Sequence, residues 1–368
     1  MLGNIAIAFL LAFITAYVST PYTIRLARKV HAVDVPKDKR KIHKFAKARL
    51  GGLAVIAGFI VSTVYLLIVM SVEGSINLKG IEHYDMKLIG FFLGALVLGI
   101  FCYIDDVKGI SPIIKLIGQL LAAGIATYFG IRIDKIVLSS LGQSVVYGEA
   151  ISIIITMAWI VGITNAINLI DGLDGLSSGI CLISCLSLLI IFTLNSSPLI
   201  SIILITALGG SLVGFLPFNF NPAKTFLGDT GSNFLGYSLS IISILGIAKT
   251  YTAIVLIAPL LIFALPLFDT SAAIFRRLKK TKSIKGVFKA DKEHLHHKLM
   301  KKGYTQKQAV FILYGISATF GMFAIILLES GLWKAISFGL MVIAAIAVGY
   351  KDISRKRKLD DNENIENK

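Results

Sequence analysis

Long apolar runs separated by short polar stretches dominate this chain. They fall near residues 4–22, 53–71, 88–104, 113–130, 151–167, 178–194, 199–217, 233–248, 252–274, 309–328 and 332–350. A helix crossing a bilayer needs roughly 20 apolar residues, so eleven would occupy about 220. The pattern therefore predicts an all-α, polytopic integral membrane protein of about 11 transmembrane helices. Composition agrees: 55% of the 368 residues are hydrophobic, 16% are charged and the mean hydropathy is +0.79. Soluble domains carry about 25% charged residues, which excludes a soluble multidomain enzyme, a disordered chain and a disulfide-rich secreted domain.

Charge then orients the chain. No Lys or Arg precedes the first run, and Arg25, Arg28 and Lys29 follow it. That asymmetry puts the N-terminus outside and, with an odd number of spans, the C-terminus in the cytoplasm. On this topology 31 of the 37 Lys and Arg residues lie inside, in stretches 23–52, 105–115, 218–231, 275–308 and 351–368. Residues 1–350 read as one transmembrane domain whose loops 23–52, 105–115, 168–177, 218–231 and 275–308 share the inner face. Residues 351–368 read as a basic and polar cytoplasmic tail without fixed structure. The net charge of +16, lying between spans, points to anionic lipid headgroups and an anionic substrate, not nucleic acid. Cys102, Cys181 and Cys185 sit in apolar runs and read as packing residues, since helix geometry disfavours a bridge between Cys181 and Cys185.

Carboxylates at membrane helix ends are costly and need a reason. Asp105 and Asp106 close the third run, and Ser111-Pro112 looks like an N-cap followed by proline at the first helical position. Adjacent helical residues diverge by about 100°, so the two aspartates should find different partners, with Lys115 nearby for one of them. In the second block, Asn168 to Gly175, a helix would put Asn168, Asp171 and Asp174 on one arc. With no Lys or Arg in that segment, its carboxylates invite a metal ion or ligand, and hard oxygens suit Mg²⁺ or Mn²⁺. An Asx-rich turn leaving the membrane is the plainer alternative. The third block, Phe226-Leu227-Gly228-Asp229-Thr230-Gly231-Ser232, is either a metal and phosphate loop or a Gly-rich turn. Phe226 would stack on a base or pack into the interface.

Three of the six histidines, His294, His296 and His297, lie within four positions. If helical, His294 and His297 share a face with Lys301. Phosphate contact, an interfacial helix face and a metal site all stay open. Lys44 and Arg49 stand out in the basic first loop because they adjoin the glycines that open the second run. Asp269, near the end of the ninth, reads equally well as a structural residue or a support for the site.

These motifs, in this order, resemble the polyprenyl-phosphate N-acetylhexosamine-1-phosphate transferases, along nearly the whole chain. Within that family the chain is similar to the WecA/TagO branch, because Ala48-Arg49-Leu50-Gly51-Gly52 stands where the muramoyl-pentapeptide branch shows Pro-Thr-Met-Gly-Gly, and Leu295 interrupts the histidine run. Ala48 occupies a position where branch members often carry Pro. The resemblance implies a Mg²⁺-dependent phosphoglycosyl transferase of the bacterial cytoplasmic membrane, its active site facing the cytoplasm. Such an enzyme passes GlcNAc-1-phosphate from UDP-GlcNAc to undecaprenyl phosphate and releases UMP. It implies Asp229 and Asp171 at the metal, and Asp105, Asp106, His294 and His297 with them in catalysis. It also implies Lys44, Arg49, Lys115, Asn168, Asp174, Phe226 and His296 on substrate. A homodimer is left open. An anion transporter is the rival class, but its sites belong near mid-membrane, whereas these carboxylates cluster at helix ends.

Overall fold

The computed structural model describes residues 2–35, 46–74, 83–138, 143–146, 148–247, 253–281 and 294–344. Each of the eleven apolar runs coincides with a helix, or in one case with two. In chain order the helices are α1 (Leu2–Lys29), α2 (Gly52–Val72), α3 (Tyr84–Lys108), α4 (Pro112–Tyr128), α5 (Glu149–Ile170), α6 (Leu176–Leu194), α7 (Leu199–Asn219), α8 (Gly228–Ile247), α9 (Ala253–Ile262), α10 (Ala264–Thr281), α11 (Leu295–Lys301), α12 (Gln306–Ser330) and α13 (Leu332–Ala344). The chain is a helical, polytopic membrane protein. Seven of these, α1, α2, α3, α5, α6, α7 and α12, are each long and apolar enough to cross a bilayer. α4 and α13 are shorter apolar helices.

Local sequence explains the boundaries. The Ser111 hydroxyl accepts from the Ile114 amide and Pro112 opens α4, as the dipeptide predicts. Thr305 and Gln308 form a capping box at the start of α12. The run at 252–274 is divided at Phe263 into α9 and α10. Pro266 has no amide hydrogen to give to the carbonyl of Ile262, so the ladder is interrupted there. The stretch 131–150 contains an antiparallel pair of strands, β3 (Lys135–Leu138) and β4 (Gln143–Val146), pairing Lys135 with Val146 and Leu138 with Gln143. A shorter pair, β1 (Val33–Asp34) with β2 (Lys47–Ala48), closes the first polar loop.

The bundle is layered from outside in. In the most apolar stretch of α1 only 17% of residues are buried, against 83% in α7. α7 and α8 lie at the centre: α7 packs on α1, α2 and α6, and α8 on α2, α3 and α5. Helices hydrophobic on every face belong inside such a bundle, while α1 shows Leu10, Ile14 and Val18 to its surroundings. Small residues let the backbones close up. A Cβ on Gly236 of α8 would meet Thr164 Cα of α5 at 2.6 Å, the close approach that drives helix association in lipid. All three cysteines are buried and free, as packing residues should be.

Candidate active site

One end of the bundle gathers the charged residues that the apolar interior could not hold. Asp105 and Asp106, in the last turn of α3, diverge as adjacent helical residues must. Asp105 pairs with Lys115 Nζ at 2.5 Å and accepts from the Ile110 amide at 2.8 Å. Asp106 turns the other way and accepts from the amides of Asp229 and Thr230 at 2.9 and 2.8 Å and from the Thr230 hydroxyl at 2.7 Å. It thereby satisfies orphan donors at the start of α8, where a negative charge also meets the positive end of the helix dipole.

Asp229 is the hub. Lys115 Nζ lies 2.6 Å from its Oδ1, the Asn168 amide donates to the same oxygen at 2.7 Å, and Arg49 Nη2 reaches Oδ2 at 3.3 Å. Asn168 also donates to the Ser232 hydroxyl at 2.9 Å. Two neighbouring helices, α4 and α5, and the first polar loop thus converge on one carboxylate of α8.

Backbone pairing brings Arg49 there. Residues 48–52 run beside 225–227: the Phe226 amide donates to Ala48 O at 2.8 Å, Gly51 to Phe226 O at 3.0 Å, and Gly52 to Leu227 O at 2.8 Å. The glycines make this approach feasible. A Cβ on Gly51 would meet Phe226 O at 2.5 Å, and one on Gly52 would collide with Gly231. Gly228, at φ +74°, takes the left-handed conformation that starts the turn into α8.

The Asn168–Gly175 block departs from the helical arc expected of it. α5 ends at Ile170, so Asp171 is its C-cap and Asp174 lies in the following turn. The glycines at 172 and 175 favour that stop, and Tyr314 of α12 donates its hydroxyl to Gly175 O. The consequence is a division of partners. Asn168 serves Asp229, while Asp174 is buried beside Lys47 Nζ at 3.1 Å, Asn221 Nδ2 at 3.0 Å and the Ala223 amide at 3.0 Å. The cation missing from Asp174's own segment thus comes from the first loop. Lys47 Nζ also lies 5.0 Å from the Phe226 ring centroid, within cation–π range. Asp171 accepts no hydrogen bond and pairs with no cation among the described residues. Burial, then the charges of Asp229 and Asp106, push its pKa up to about 8, with Arg49 opposing.

The histidines complete the cluster, though not as one helical face. His294 is the N-cap of α11, outside the helix. Its Nδ1 sits 2.8 Å from Asp269 Oδ2, while Asp269 Oδ1 accepts from the Leu295 amide at 2.9 Å. The buried Asp269 therefore fixes the His294 ring and the start of α11 together. The His294 and His296 rings are nearly parallel with centroids 5.8 Å apart, and His297 lies 4.2 Å from His296. His296 is packed over Gly172, where a Cβ would meet its Nε2 at 2.5 Å, and its buried Nδ1 has no partner among the described residues. Burial, then His297 and His294, lower its pKa to about 3.

The chain matches the family model described as "Glycosyl transferase family 4" over residues 88–247. It is 35% identical over 333 residues to a Bacillus subtilis protein named "Probable undecaprenyl-phosphate N-acetylglucosaminyl 1-phosphate transferase", covering 90% of this chain and 87% of that one. The chain belongs to the polyprenyl-phosphate N-acetylglucosamine-1-phosphate transferases. A decaprenyl-phosphate N-acetylglucosaminephosphotransferase of Mycobacterium tuberculosis is 32% identical, covering 94% of this chain and 88% of that one. A phospho-N-acetylmuramoyl-pentapeptide-transferase of Halalkalibacterium halodurans is 27% identical, covering 87% and 96%.

In this transferase the structure brings Asp105, Asp106, Asp229, Lys115, Arg49 and Asn168 into one bonded cluster. Asp171 adjoins it electrostatically, and His296 overlies the loop that carries Asp171. Asp174 and Phe226 form a second group joined through Lys47. Lys44 lies outside the described residues, as do the tail at 351–368 and residues 282–293 of the histidine loop. Lys47 and Asn221 were missed by sequence reasoning. Among the described residues no three His, Cys, Asp or Glu side chains form a self-sufficient metal cage.

Proposed function

We propose that this transferase moves GlcNAc-1-phosphate from UDP-GlcNAc to undecaprenyl phosphate, releasing UMP and leaving undecaprenyl-diphospho-GlcNAc. The observation that carries this reading is the joining of Lys115, Arg49 and Asn168 on Asp229, beside the unpartnered Asp171. Phosphoryl transfer asks chiefly for positioning and for neutralised charge around the reacting phosphates. A lipid-phosphate oxygen attacks the sugar-linked phosphorus in line, the bond to the UMP oxygen breaks, and the negative charge leaves on UMP. Lys115 and Arg49 are the cations within reach of the two anions. Asp105 holds Lys115 in place, and Asp106 fixes the first turn of α8 on which Asp229 stands. Lys44 joins Lys115 in receiving the lipid phosphate, and His294, His296 and His297 contact pyrophosphate or sugar. Phe226 takes the uridine end by stacking, on a wall that the Lys47–Asp174 pair holds in place. The amide of Asn168, being committed to Asp229 and Ser232, orients the reacting end.

The donor set suits Mg²⁺, with Mn²⁺ as the alternative. Magnesium is usually held by one or two carboxylates together with substrate phosphates rather than by an all-protein cage. Asp171 has free oxygen valence among the described residues, and Asp229 and Asp106 share its electrostatic field. These two would hold the ion, which when bound would supply charge neutralisation at the pyrophosphate.

The five-to-one distribution of Lys and Arg between the two sets of loops supports eleven spans with the N-terminus outside. The charged cluster then faces the cytoplasm of a bacterial inner membrane. The decisive experiment is UMP release by purified protein in detergent with undecaprenyl phosphate and Mg²⁺. UDP-GlcNAc, UDP-GalNAc and UDP-MurNAc-pentapeptide are supplied separately, with EDTA controls. Release confined to UDP-GlcNAc, lipid and metal is the expected result. Release with only the muramoyl donor would keep the chemistry and overturn the donor assignment. Absence of release with every donor would remove the transferase reading of this site.

A further inference from the structure

Beneath the charged cluster lies a second polar layer that the reaction as described does not use. α4, α5 and α8 each contribute one residue to the upper layer, Lys115, Asn168 and Asp229. One helical turn deeper each contributes an amide: Gln119, Asn165 and Asn233. Gln119 and Asn233 are 2% and 0% exposed. Gln119 bonds to both of the other amides. Gln119 Nε2 donates to Asn233 Oδ1 at 2.7 Å and to Asn165 Oδ1 at 3.4 Å, and Asn165 Nδ2 donates back to Gln119 Oε1 at 2.6 Å. The remaining donors go to backbone: Asn165 Nδ2 to Val161 O at 3.0 Å and Asn233 Nδ2 to Asp229 O at 2.8 Å.

That last bond joins the layers, because its acceptor is the carbonyl of the residue on which Lys115, Arg49 and Asn168 meet. An apolar triad would pack α4 against α5 and α8 as well, without fixing their register. With Gln119 bonded to both asparagines, a slide of α4 along α5 or α8 leaves buried donors and acceptors unpaired. Farther along the same α5–α8 seam, Trp159 Nε1 donates to Ser240 O and to the Ser243 hydroxyl, each at 3.2 Å.

We infer that Gln119, Asn165 and Asn233 are positioning residues that set the separation between Lys115 and Asp229, and through it the rate of phosphoryl transfer rather than the affinity for either substrate. The inference deepens the transferase reading and rests on it. None of the three amides touches substrate; each acts through the charged layer.

The test substitutes Gln119→Met, which keeps length and volume and removes every hydrogen bond. The control is Thr127→Ala on the same helix, since among the described residues the Thr127 hydroxyl bonds only to Ala123 O of its own α4. Q119M should lower kcat by about 100-fold, the scale of a small misplacement of catalytic groups, with KM for donor and lipid each within about threefold of the parent. T127A should keep both constants. A structure of Q119M should show Lys115 Nζ and Asp229 Oδ1 moved apart from 2.6 Å. Retained kcat together with an unmoved Lys115–Asp229 contact would overturn the inference, as would a loss expressed wholly in KM. If Q119M does not accumulate in the membrane, Asn165→Leu, at a half-buried position, is read by the same criteria. If the parent protein releases no UMP from any donor, the transferase reading falls. The Lys115–Asp229 separation in the variant then decides the positional claim alone.

Discussion

Asp171 and Asp174 belong to one short motif and have opposite surroundings. Asp174 is finished: a lysine, an asparagine and a backbone amide occupy its oxygens, and it is 6% exposed. Asp171 stands three residues earlier with no hydrogen-bond or ion-pair partner among the described residues, and its neighbours Asp229 and Asp106 add to its charge burden. A buried carboxylate that is satisfied has structural work to do, whereas one left open among like charges is held for something that arrives with the opposite charge. Motif spacing treats the two alike; their partners separate them.

The sharpest way to break this comparison is to neutralise the open site. Asp171→Asn and Asp229→Asn should each reduce UMP release by about 1,000-fold or more, the scale for losing a principal electrostatic contact in a transition state. Near-parental, metal-dependent turnover in either variant would end its assignment as a metal ligand. Asp171 also predicts a pH effect with a definite sign. Its folded pKa, about 8, lies above its ordinary 3.8, so the folded state binds its proton more tightly. That contribution to stability is full below about pH 4 and is lost as pH rises towards 8. In EDTA-treated detergent solution, D171N should match the parent's thermal midpoint near pH 4 and exceed it near pH 8.

Asp174→Ala should do the reverse. It strands the mostly buried Lys47 and should cost about 3–5 kcal/mol of stability, the range for breaking a buried pair from one side. Chemical denaturation in detergent measures it, and an unchanged midpoint would deny Asp174 its structural share. A smaller effect is expected at Asp269. Asp269→Asn weakens the bond to His294 and leaves an acceptor for Leu295, and should reduce turnover by about tenfold, in line with losing one charged hydrogen bond. Smallest is Ser111→Ala, which removes the α4 cap and should cost about 1 kcal/mol with kcat unchanged.

Much of the architecture was legible because a bilayer leaves few choices. Backbone polar groups must be satisfied within each apolar segment, so every long run had to be helical. The break at Phe263 was signalled by Pro259 and Pro266 inside one run. The pairing of β3 with β4 was signalled less strongly, by two short β-branched stretches. The carboxylate blocks could be read as members of one site, since acids at helix ends need company. Their partners could not. Lys47 is one of seven cations between residues 37 and 49, with nothing local to distinguish it, and Asp174 lies 127 positions away. The arc through Asn168, Asp171 and Asp174 failed because it assumed a helix through glycines that end one. His294 failed likewise, since the side chain that caps α11 and holds its ring comes from Asp269 on another helix.

The seam between residues 48–52 and 225–227 has a consequence for how specificity can change. It is sewn by main-chain atoms, so exchanging the side chains at 49 and 226 leaves its stitches intact. The frame is indifferent to these two residues, both proposed to face the ligand. Libraries randomised at 49 and 226 should therefore yield folded proteins, whereas replacing Lys47 would strand the buried Asp174. The same diversity at Gly51 or Gly52 should yield chains that never close. Selectivity and architecture are written here in different atoms of the same few residues.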